Sequence, residues 1–385
     1  MKVLVLGGAG MVGAVVARDL VNADDVSQVV LADISETKAR EVASKIASNK
    51  LSVARADVRD HGGLVGIMKG MDVVVNSTWY THNIDVMRAA MKAAVNTLDL
   101  GGLFHMTLRQ LELDQEAKDS GTTFVLGCGE DPGLSNVFAR HGADMMDRVE
   151  SIKIRDGDRD LVPSEALFKF SIRTIVNEWS EDAFIFRNGK LQRIPPMGEH
   201  ERVRMPDPIG EIDCYATIHS ELATLPKYID KEVQYVDFMV SETYDMATML
   251  RKLGFLDRQP VRVGDIEVAP MDFTIVQLSK FQADPLTLRT MRDVTCIVVE
   301  VTGFKGPSKI RNTDWAICYS QPEWDALAMD YLTGTCASIG AQILAKDDSD
   351  RSGVFPPEVY FRPAQFIEEV KKRNVIVEER ACTVK

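Results

Sequence analysis

Residues 1–20, MKVLVLGGAGMVGAVVARDL, decide the fold of the first part of the chain. The β-formers Val3 to Leu6 lead directly into the motif Gly8-x-Gly10-x-x-Gly13, and an apolar pattern of helical period follows. In this order of strand, turn and helix, Gly8 allows a tight turn, Gly10 lets backbone N–H groups approach a pyrophosphate, and Gly13 lets the helix lie close to the sheet. The context favours a dinucleotide-binding unit over small residues that only pack a strand against a helix.

An acidic residue follows where such a unit contacts the adenosine ribose. Asp33 ends the second predicted strand, VSQVVLAD, about 20 residues beyond the last glycine. A carboxylate there accepts hydrogen bonds from ribose hydroxyls and repels the 2′-phosphate of NADP, so NAD is the predicted cofactor and NADP the alternative. Asp33 could instead cap the next helix, although Ser35 is the better cap candidate. Asp57, which ends the third strand, either meets the adenine edge or only starts a turn.

The periodicity of the chain changes near residue 149. Before it, strands and helices alternate, which predicts an α/β Rossmann domain with a doubly wound parallel sheet over residues 1–130. After it, strands such as KEVQYVDFMV alternate apolar and polar residues. This predicts a second α/β (α+β) substrate domain over residues 131–328, with a mostly antiparallel sheet that has one solvated face. Residues 329–385 are predicted to be C-terminal helices that return to the Rossmann domain.

Length, charge and cysteine usage narrow the class of protein. The chain has 385 residues, 45 Lys+Arg and 57 Asp+Glu, and a formal net charge of −12. This length predicts two domains, and the charge argues against a nucleic-acid or membrane partner. The six scattered cysteines indicate reduced thiols, with neither a disulfide nor a metal site. Without a signal-peptide pattern or an apolar run of about 18 residues, the protein is predicted to be cytoplasmic.

Polar and glycine-rich segments follow three strands of the predicted Rossmann sheet, where ligands of open α/β sheets bind. The segments are NSTWY, DLGG and GCGEDPGLSN. The last offers N–H groups at a helix start, which indicates an anion or nicotinamide-side contact, or else a plain turn and helix cap. With the glycines and acids above, the predicted cofactor contacts are Met11, Val12, Asn76, Ser77, Thr78, Gly101 and Pro132. Asp131 and Gly133 are predicted to contact substrate.

The stretch HSELATLPKYI contains two candidate proton carriers in a predicted loop closed by Pro226. His219 and Glu221 are the residue types that carry protons in dehydrogenases, and Tyr80 joins them as a third catalytic candidate. The alternative is that His219 is an ordinary surface residue. If it does act in catalysis, His219 also contacts the substrate.

Two cations lie on or beside an apolar stretch in FKFSIRTIVNEW. Lys169 and Arg173 are candidates for binding a substrate carboxylate, which arginine does through two parallel hydrogen bonds. The alternative for both is a surface ion pair.

With these residues assembled, the sequence resembles the saccharopine dehydrogenase-like family, and within it the lysine 6-dehydrogenase and saccharopine reductase branch. The resemblance spans essentially the whole chain and rests on VLVLGGAGMVGAVVARDL, VVLADIS, DVVVNSTWYTHN, LDLGG, GEDPGLSN, FSIRTIVNEW, RNGK, HSELATLP and GVFPPEVYF. It implies a Rossmann domain, an inserted substrate domain, returning C-terminal helices, a homodimer, and NAD(P)-dependent hydride transfer at the C–N bond of a small amino-acid substrate.

The sequence departs from those relatives at two places. Ser220-Glu221-Leu222 replaces a glycine-rich segment after the histidine, and Arg173 stands where the relatives carry an acidic residue. The arginine favours a carboxylate over an amine at that point, which argues against free lysine as substrate.

Three functional hypotheses stay open. The first is oxidation of a lysine-like amino acid or of its saccharopine or opine-type adduct. The second is reductive condensation of an amine with an oxo acid, of the opine or carboxynorspermidine type. The third is a non-catalytic dinucleotide-sensing protein, because a Rossmann fold alone does not prove catalysis.

Overall fold

Two sheets organise the chain, and a computed structural model describes them over residues 1–163, 168–282, 285–347, 349 and 351–384. The N-terminal part of the chain forms six strands of the first sheet, and the C-terminal part adds a seventh. The six are β1 Lys2–Leu6, β2 Gln28–Asp33, β3 Leu51–Arg55, β4 Val73–Asn76, β5 Asn96–Asp99 and β6 Thr123–Val125. The helices of this part are α1 Met11–Asn22, α2 Glu36–Ile46, α3 His61–Met68, α4 Asn83–Ala93, α5 Leu103–Leu111 and α6 Asp114–Ser120. A single 3₁₀ turn spans Tyr80–His82.

The first sheet is parallel in the order β6-β5-β4-β1-β2-β3, as expected for a Rossmann domain. Its central strands are short apolar runs because helices cover both faces, and Val3 to Val5 of β1 are fully buried. Ser35 caps α2 by accepting a hydrogen bond from the Lys38 N–H at 3.4 Å, so the cap is not Asp33.

The second sheet follows one connecting helix, α7 Leu134–Asp144. The strands of this part are β7 Arg148–Asp160, β8 Ala183–Arg187, β9 Lys190–Ile194, β10 His200–Arg204, β11 Glu211–Ala216, β12 Tyr235–Ser241, β13 Val261–Val263, β14 Ile266–Val268, β15 Asp293–Lys305 and β16 Ser308–Tyr319. The helices are α8 Ile172–Ser180, α9 Glu221–Tyr228, α10 Tyr244–Lys252, α11 Pro270–Leu278 and α12 Pro285–Thr290, with 3₁₀ turns at Ser279–Phe281 and Pro322–Trp324.

This sheet runs β10-β11-β12-β7-β15-β16, with β8 and β9 attached beside β12, and β13 and β14 form a separate hairpin. Most pairs are antiparallel as predicted, but β12 and β7 are parallel. The expectation of a solvated face is wrong for β12, whose residues Val236 to Val240 are all buried. Helix α9 packs against this strand, while Phe238 and Val240 face the cleft described below.

The C-terminal part returns to both sheets. It contains α13 Ala328–Ala345, β17 Gly353–Phe355, α14 Pro357–Tyr360, α15 Pro363–Lys371 and β18 Ile376–Thr383. Helix α13 packs on α1, and β17 extends the first sheet beside β6. The expectation of helices alone is wrong at the end, because β18 pairs antiparallel with β16 of the second sheet. As a charged, exposed strand, β18 protects the edge of that sheet.

Candidate active site

The turn after β1 is built on a glycine that the fingerprint does not include. Gly7 has the left-handed backbone conformation, with φ +73°, and a Cβ there would lie 2.6 Å from the Ser77 carbonyl oxygen. Gly8 instead donates its N–H to the Ala32 carbonyl at 3.1 Å, and its Cα faces Leu31. The tight turn predicted for Gly8 is therefore made by Gly7. Gly8 packs against β2 and does not present its N–H to a ligand.

The first turn of α1 presents unsatisfied donors. Gly10 precedes the helix without a side-chain cap, and no residue that the structure describes accepts a hydrogen bond from the N–H groups of Met11, Val12 or Gly13. A Cβ on Gly13 would lie 2.8 Å from Ser77 Oγ. Unpaired N–H groups at the positive end of a helix bind a pyrophosphate, so this turn fits a nicotinamide dinucleotide.

Asp33 connects this turn to the next helix. Its carboxylate accepts hydrogen bonds from the Ala9 N–H at 3.1 Å and from the Ser35 N–H at 2.9 Å. The side chain therefore stands at the end of β2 beside the glycine turn, which is the position from which a carboxylate meets ribose hydroxyls.

Asp57 does not line the cleft described below. It forms a two-point ion pair with Arg59 in its own loop, at 2.9 and 2.7 Å. Hydrogen bonds from Arg59 hold the pKa of Asp57 well below its usual range. This geometry favours the turn interpretation over the adenine contact.

Buried polar side chains shape the loops after β4, β5 and β6. Asn76 is buried and accepts hydrogen bonds from the N–H and hydroxyl of Thr78 at 3.2 and 2.6 Å, so it orders this loop instead of lining the cleft as predicted. Asp99 accepts hydrogen bonds from the N–H groups of Gly101 and Gly127 at 2.8 and 2.9 Å, which ties two loops together.

A cleft of about 810 Å³ lies between these loops and the second sheet. Elements of both sheets supply its walls, as the combination of a dinucleotide and a substrate requires. Of the residues predicted from the sequence, the cleft brings together Gly10, Met11, Val12, Gly13, Ser77, Thr78, Tyr80, Gly101, Asp131, Pro132, Arg173 and His219.

His219 lines the cleft, and its orientation is set on two sides. Its imidazole lies flat against Phe238, with ring centroids 3.7 Å apart, and its Nδ1 contacts a carboxylate oxygen of Glu221. Glu221 is fully buried and accepts a hydrogen bond from Ser135 Oγ at 2.7 Å through its other oxygen. A histidine held in this way presents its Nε2 for proton transfer while the carboxylate fixes the ring.

The predicted loop around these residues is in fact the start of a helix. Glu221 is the first residue of α9, and Pro226 lies inside that helix. Proline at this sixth position cannot donate to the Leu222 carbonyl, so the helix lacks one i→i−4 hydrogen bond, and it ends two residues later at Tyr228. Glu221 consequently lies behind His219 and does not line the cleft itself.

Tyr80 lines the cleft as a neutral hydroxyl. Its oxygen accepts a hydrogen bond from Asn177 Nδ2 at 2.8 Å, and burial raises its pKa to about 12. This geometry leaves its O–H free to donate to a ligand and makes Tyr80 unsuitable as a base near neutral pH.

Four carboxyl groups face the same cleft, and three of them are not among the residues predicted from the sequence. They are Asp131, Asp156, Glu178 and Asp330. Burial raises the pKa of Asp156 to about 8, with Asp158 adding to the effect, and raises the pKa of Asp330 to about 8 as well. Burial and then neighbouring carboxylates raise the pKa values of Asp131 and Glu178 well above their usual range.

In two of these groups, one carboxylate oxygen lacks a partner among the described protein residues. Asp156 Oδ1 and Asp330 Oδ2 are buried and accept no hydrogen bond within the part of the chain that the structure describes. Asp156 lies in the buried part of β7, directly after the charged Arg155, and Glu178 lies on the buried, largely apolar face of α8. An acid on an apolar helix face is a signal that would have identified Glu178, whereas the polar sequence around Asp156 offers no such signal.

Arg173 and Lys169, predicted together, have different environments. Arg173 lines the cleft with its side chain half exposed, 6.0 Å from the Trp79 ring centre and 3.7 Å from Asp272. Lys169 does not line this cleft, because its ammonium contacts Asp158 and lies 2.6 Å from Asp160. The surface ion pair considered for Lys169 is therefore closer to its environment than the carboxylate contact.

Gly133 is likewise not in the cleft. It is buried, and its N–H donates to the Asn136 side chain at 3.0 Å. The N–H groups of Leu134 and Ser135 donate to carbonyl groups at 2.9 and 3.0 Å, so this helix start is an internally satisfied cap and offers no anion site.

One group of residues away from the cleft has the spacing of metal ligands. His141, Asp314 and Glu379 bring ligand atoms within 4.8 Å of one another. His141 Nδ1 lies 3.1 Å from both oxygens of Asp314. An ion pair between His141 and Asp314 accounts for the arrangement.

The structure combines a parallel nucleotide-binding sheet, a helix start with free N–H groups, and a cleft lined by a histidine and carboxyl groups. Together these features define a nicotinamide-dependent oxidoreductase. Family comparison agrees, since the saccharopine dehydrogenase NADP binding domain matches residues 3–125 and the saccharopine dehydrogenase C-terminal domain matches residues 129–376. The chain belongs to the saccharopine dehydrogenase family, and it binds NAD(P).

Two relatives have names that refer to carboxylated polyamine compounds. The chain is 26% identical to carboxyaminopropylagmatine dehydrogenase from Synechocystis sp. over 93% of its length and 92% of the relative's. It is also 26% identical to carboxynorspermidine synthase from Vibrio cholerae, over 94% of its length and 92% of the relative's.

Solved structures agree on the fold. Apo saccharopine dehydrogenase (L-Glu forming) from Saccharomyces cerevisiae superposes with a TM-score of 0.75 at 17% identity and covers 99% of both chains. Homospermidine synthase from Legionella pneumophila, in complex with NAD, superposes with a TM-score of 0.71 at 13% identity, over 98% of this chain and 91% of that one. Among the described residues, no helix has the length and apolarity needed to cross a membrane.

Proposed function

We propose that this protein is an NAD(P)-dependent oxidoreductase that joins a carbonyl compound bearing a carboxylate to a polyamine-type amine by reductive condensation, or catalyses the reverse oxidation. The observation that carries the proposal is the set of four carboxyl groups in the cleft, since an amine with several positive charges would satisfy them. The names of the curated relatives support the same class of product.

Charge in the cleft is suited to the two ends of such an adduct. Asp131, Asp156 and Glu178 would bind protonated nitrogens, and a bound cation would return their raised pKa values toward the usual range. Arg173, at the half-exposed side of the cleft, would bind the carboxylate. The expectation that arginine at this position disfavours an amine is thereby limited to one part of the cleft.

In the condensing direction the amine nitrogen bonds to the carbonyl carbon, the carbonyl oxygen is protonated and leaves as water, and the resulting iminium carbon accepts a hydride. The bound nicotinamide supplies or accepts the hydride. His219, held by Glu221 and Phe238, would move the proton through Nε2, and the neutral Tyr80 hydroxyl would donate a hydrogen bond to a reacting oxygen or nitrogen. Met11, Val12 and Gly13 would bind the pyrophosphate, and Asp33 the ribose, which favours NAD over NADP.

The two other hypotheses make different demands on the charged groups of the cleft. Oxidation of a lysine-like amino acid, or of saccharopine, shares the C–N chemistry but needs only one amine charge near the carboxyl groups. A purely sensing role would require no ionisable group beside the cofactor, and the presence of His219 and Asp131 in the cleft argues against it.

The deciding experiment follows oxidation of NADH and of NADPH by absorbance, with pairs of amine and carbonyl substrates. The amines are agmatine, 1,3-diaminopropane, putrescine and lysine. The carbonyl compounds are aspartate semialdehyde, which leaves a carboxyaminopropyl group on nitrogen after reduction, and 2-oxoglutarate. Turnover that requires a polyamine-type amine supports the proposal. Turnover with lysine and 2-oxoglutarate, or with saccharopine in the oxidative direction, would replace it.

We also propose that two copies of the chain associate. Large apolar side chains are exposed on α10, on the residue that follows it, on α11 and on the β13–β14 hairpin. They are Met249, Leu253, Val261, Val263, Ile266, Phe273 and Val276. Exposed large apolar side chains concentrated in one part of the chain are typical of subunit interfaces.

A further inference from the structure

A second chamber, separate from the catalytic residues, adjoins the cleft. It has a volume of about 740 Å³ and shares Phe170 and Met329 with the cleft as common wall residues. Its other walls include Trp179 of α8, Tyr215 of β11, Glu242 after β12 and Tyr244 of α10. A ligand that extends from the cleft past Phe170 and Met329 would enter this chamber.

The chamber contains a carboxylate with one oxygen to spare. Glu242 accepts hydrogen bonds from Trp179 Nε1 at 2.8 Å and from the Thr243 N–H at 3.2 Å, both through Oε2. Its Oε1 accepts none from any residue in the described ranges. Burial raises the pKa of Glu242 to about 7, against the effect of the Trp179 hydrogen bond and with a contribution from Asp158.

A second carboxyl group, on the cleft side, also lacks hydrogen-bond donors. Glu178 is 4% exposed and lines the cleft, and no described residue donates a hydrogen bond to its side chain. Burial raises its pKa well above the usual range, and Glu242 is the strongest of the charges that add to this effect. The charge of Glu242, in the chamber, therefore acts on Glu178, in the cleft.

No Lys, Arg or His within the described part of the chain pairs with Glu178 or Glu242. Lys169 also lines the chamber, but its ammonium is paired with Asp158 and Asp160. Glu178 is buried and Glu242 is partly buried. Two such carboxyl groups close together without a cation are electrostatically incomplete, and a cationic ligand would complete them.

Aromatic rings in the chamber suit a cation as well. Tyr215 and Tyr244 are stacked with ring centroids 4.7 Å apart, and Phe168 lies 6.0 Å from Trp179. Aromatic rings beside a carboxylate attract ammonium and guanidinium groups, and a planar guanidinium also stacks on the rings.

We propose that this chamber binds the far cationic end of the amine substrate, an ammonium or guanidinium, through the free oxygen of Glu242 and the surrounding rings. The inference rests on the proposed function for the identity of the substrate, while the binding site itself stands on the chamber's own contacts. If the chamber binds this end of the substrate, the enzyme prefers an amine with a second positive charge over a monoamine of the same length.

The kinetic test compares agmatine, putrescine and n-butylamine with one carbonyl compound, in the wild type and in Glu242→Gln. The carboxamide keeps the size of the side chain but removes its charge. We expect kcat/KM for agmatine and putrescine to fall about ten- to a hundredfold in the variant, with the value for n-butylamine unchanged. A larger loss for agmatine would identify guanidinium as the preferred group, and a larger loss for putrescine would identify ammonium.

The matched control is Glu267→Gln on the exposed β13–β14 hairpin, which makes the same chemical change away from the chamber. Equal losses for all three amines in Glu242→Gln, or no loss, would overturn the inference. The thermal midpoint and the affinity for NADH report whether the variant is folded.

A binding measurement separates this inference from the proposed function. Calorimetric titration of the NADH-loaded protein with agmatine needs no turnover, and n-butylamine is the control ligand. If the wild type turns over no amine but binds agmatine, and Glu242→Gln binds it at least tenfold more weakly, the chamber is supported and the proposed function fails. If agmatine does not bind, or binds both proteins equally, the chamber assignment fails.

Discussion

One carboxylate oxygen of Glu221 contacts Nδ1 of His219, while its other oxygen accepts a hydrogen bond from Ser135 Oγ at 2.7 Å. Because Glu221 begins a helix and is fully buried, the pair forms only when α9 is docked. The contact sets which imidazole nitrogen faces the cleft, and the proposed proton transfer depends on it.

Removal of this imidazole tests its role. We expect His219→Ala to lower kcat about 10²- to 10⁴-fold, because a positioned proton carrier contributes that much. Glu221→Gln should give a smaller loss, since the ring remains but its orientation is weakened. NADH affinity, measured by fluorescence titration, should be unchanged in both variants. Wild-type turnover in His219→Ala would remove this residue from the mechanism.

Cofactor choice should depend on Asp33. Replacing it with alanine removes the carboxylate that would repel the 2′-phosphate, so Asp33→Ala should raise kcat/KM with NADPH relative to NADH. The substitution also removes the acceptor for two loop N–H groups, so some loss of affinity for both dinucleotides is expected. An unchanged ratio between the two cofactors would contradict the assignment.

Stability should depend on pH through the buried carboxyl groups. The pKa of Asp156 rises from 3.8 to about 8 in the folded protein. Between these values the native state holds a proton that the unfolded chain has lost, so the free energy of unfolding falls as pH rises through this window and levels off above it.

Urea denaturation at several pH values tests this dependence. Asp156→Asn should reduce the slope by up to about 1.4 kcal/mol per pH unit, the value for one proton. Asp265→Asn, an exposed hairpin carboxyl, is the control. An identical slope in the wild type and Asp156→Asn would mean that Asp156 is ionised throughout.

Arg173 and Lys169 should respond differently to truncation. Arg173→Ala should raise KM for the carboxylate-bearing substrate about tenfold with little change in thermal midpoint, because the side chain is half exposed. Lys169→Met should instead lower the thermal midpoint, because it leaves Asp158 and Asp160 without their cation. The reverse pattern would reassign substrate binding to Lys169.

Association should depend on the exposed apolar surface of α11 and the hairpin. Val263 and Val276 are 59% and 60% exposed. We expect the double variant Val263→Lys and Val276→Lys to sediment as a monomer, because two buried charges oppose an apolar interface. A wild-type protein that is already monomeric by light scattering would contradict the proposed dimer.

Local sequence determines the Rossmann half to a large extent. The run Val3 to Leu6, the glycines and the apolar period of α1 are dictated by residues adjacent in the chain, so the parallel sheet and the dinucleotide turn are readable from one stretch. The same reasoning assigned the turn to Gly8 and not Gly7, because only the backbone dihedral distinguishes them.

The structure of the second half is harder to predict from the sequence, because its strands are covered by elements that are distant in the chain. The burial of β12 depends on α9 and on the cleft, and β18 reaches β16 from the end of the chain. No local period reports such contacts, since they join residues far apart in sequence.

The sequence by itself determined the dinucleotide turn, the acid after β2, and the candidates His219 and Glu221. Only the tertiary structure decided that Asp156, Glu178 and Asp330 share a cleft with His219, and that Gly133 and Lys169 do not. The reason is physical, because a residue's type fixes what it can bind, whereas its burial, its partners and therefore its charge are fixed by elements that the chain brings together only on folding.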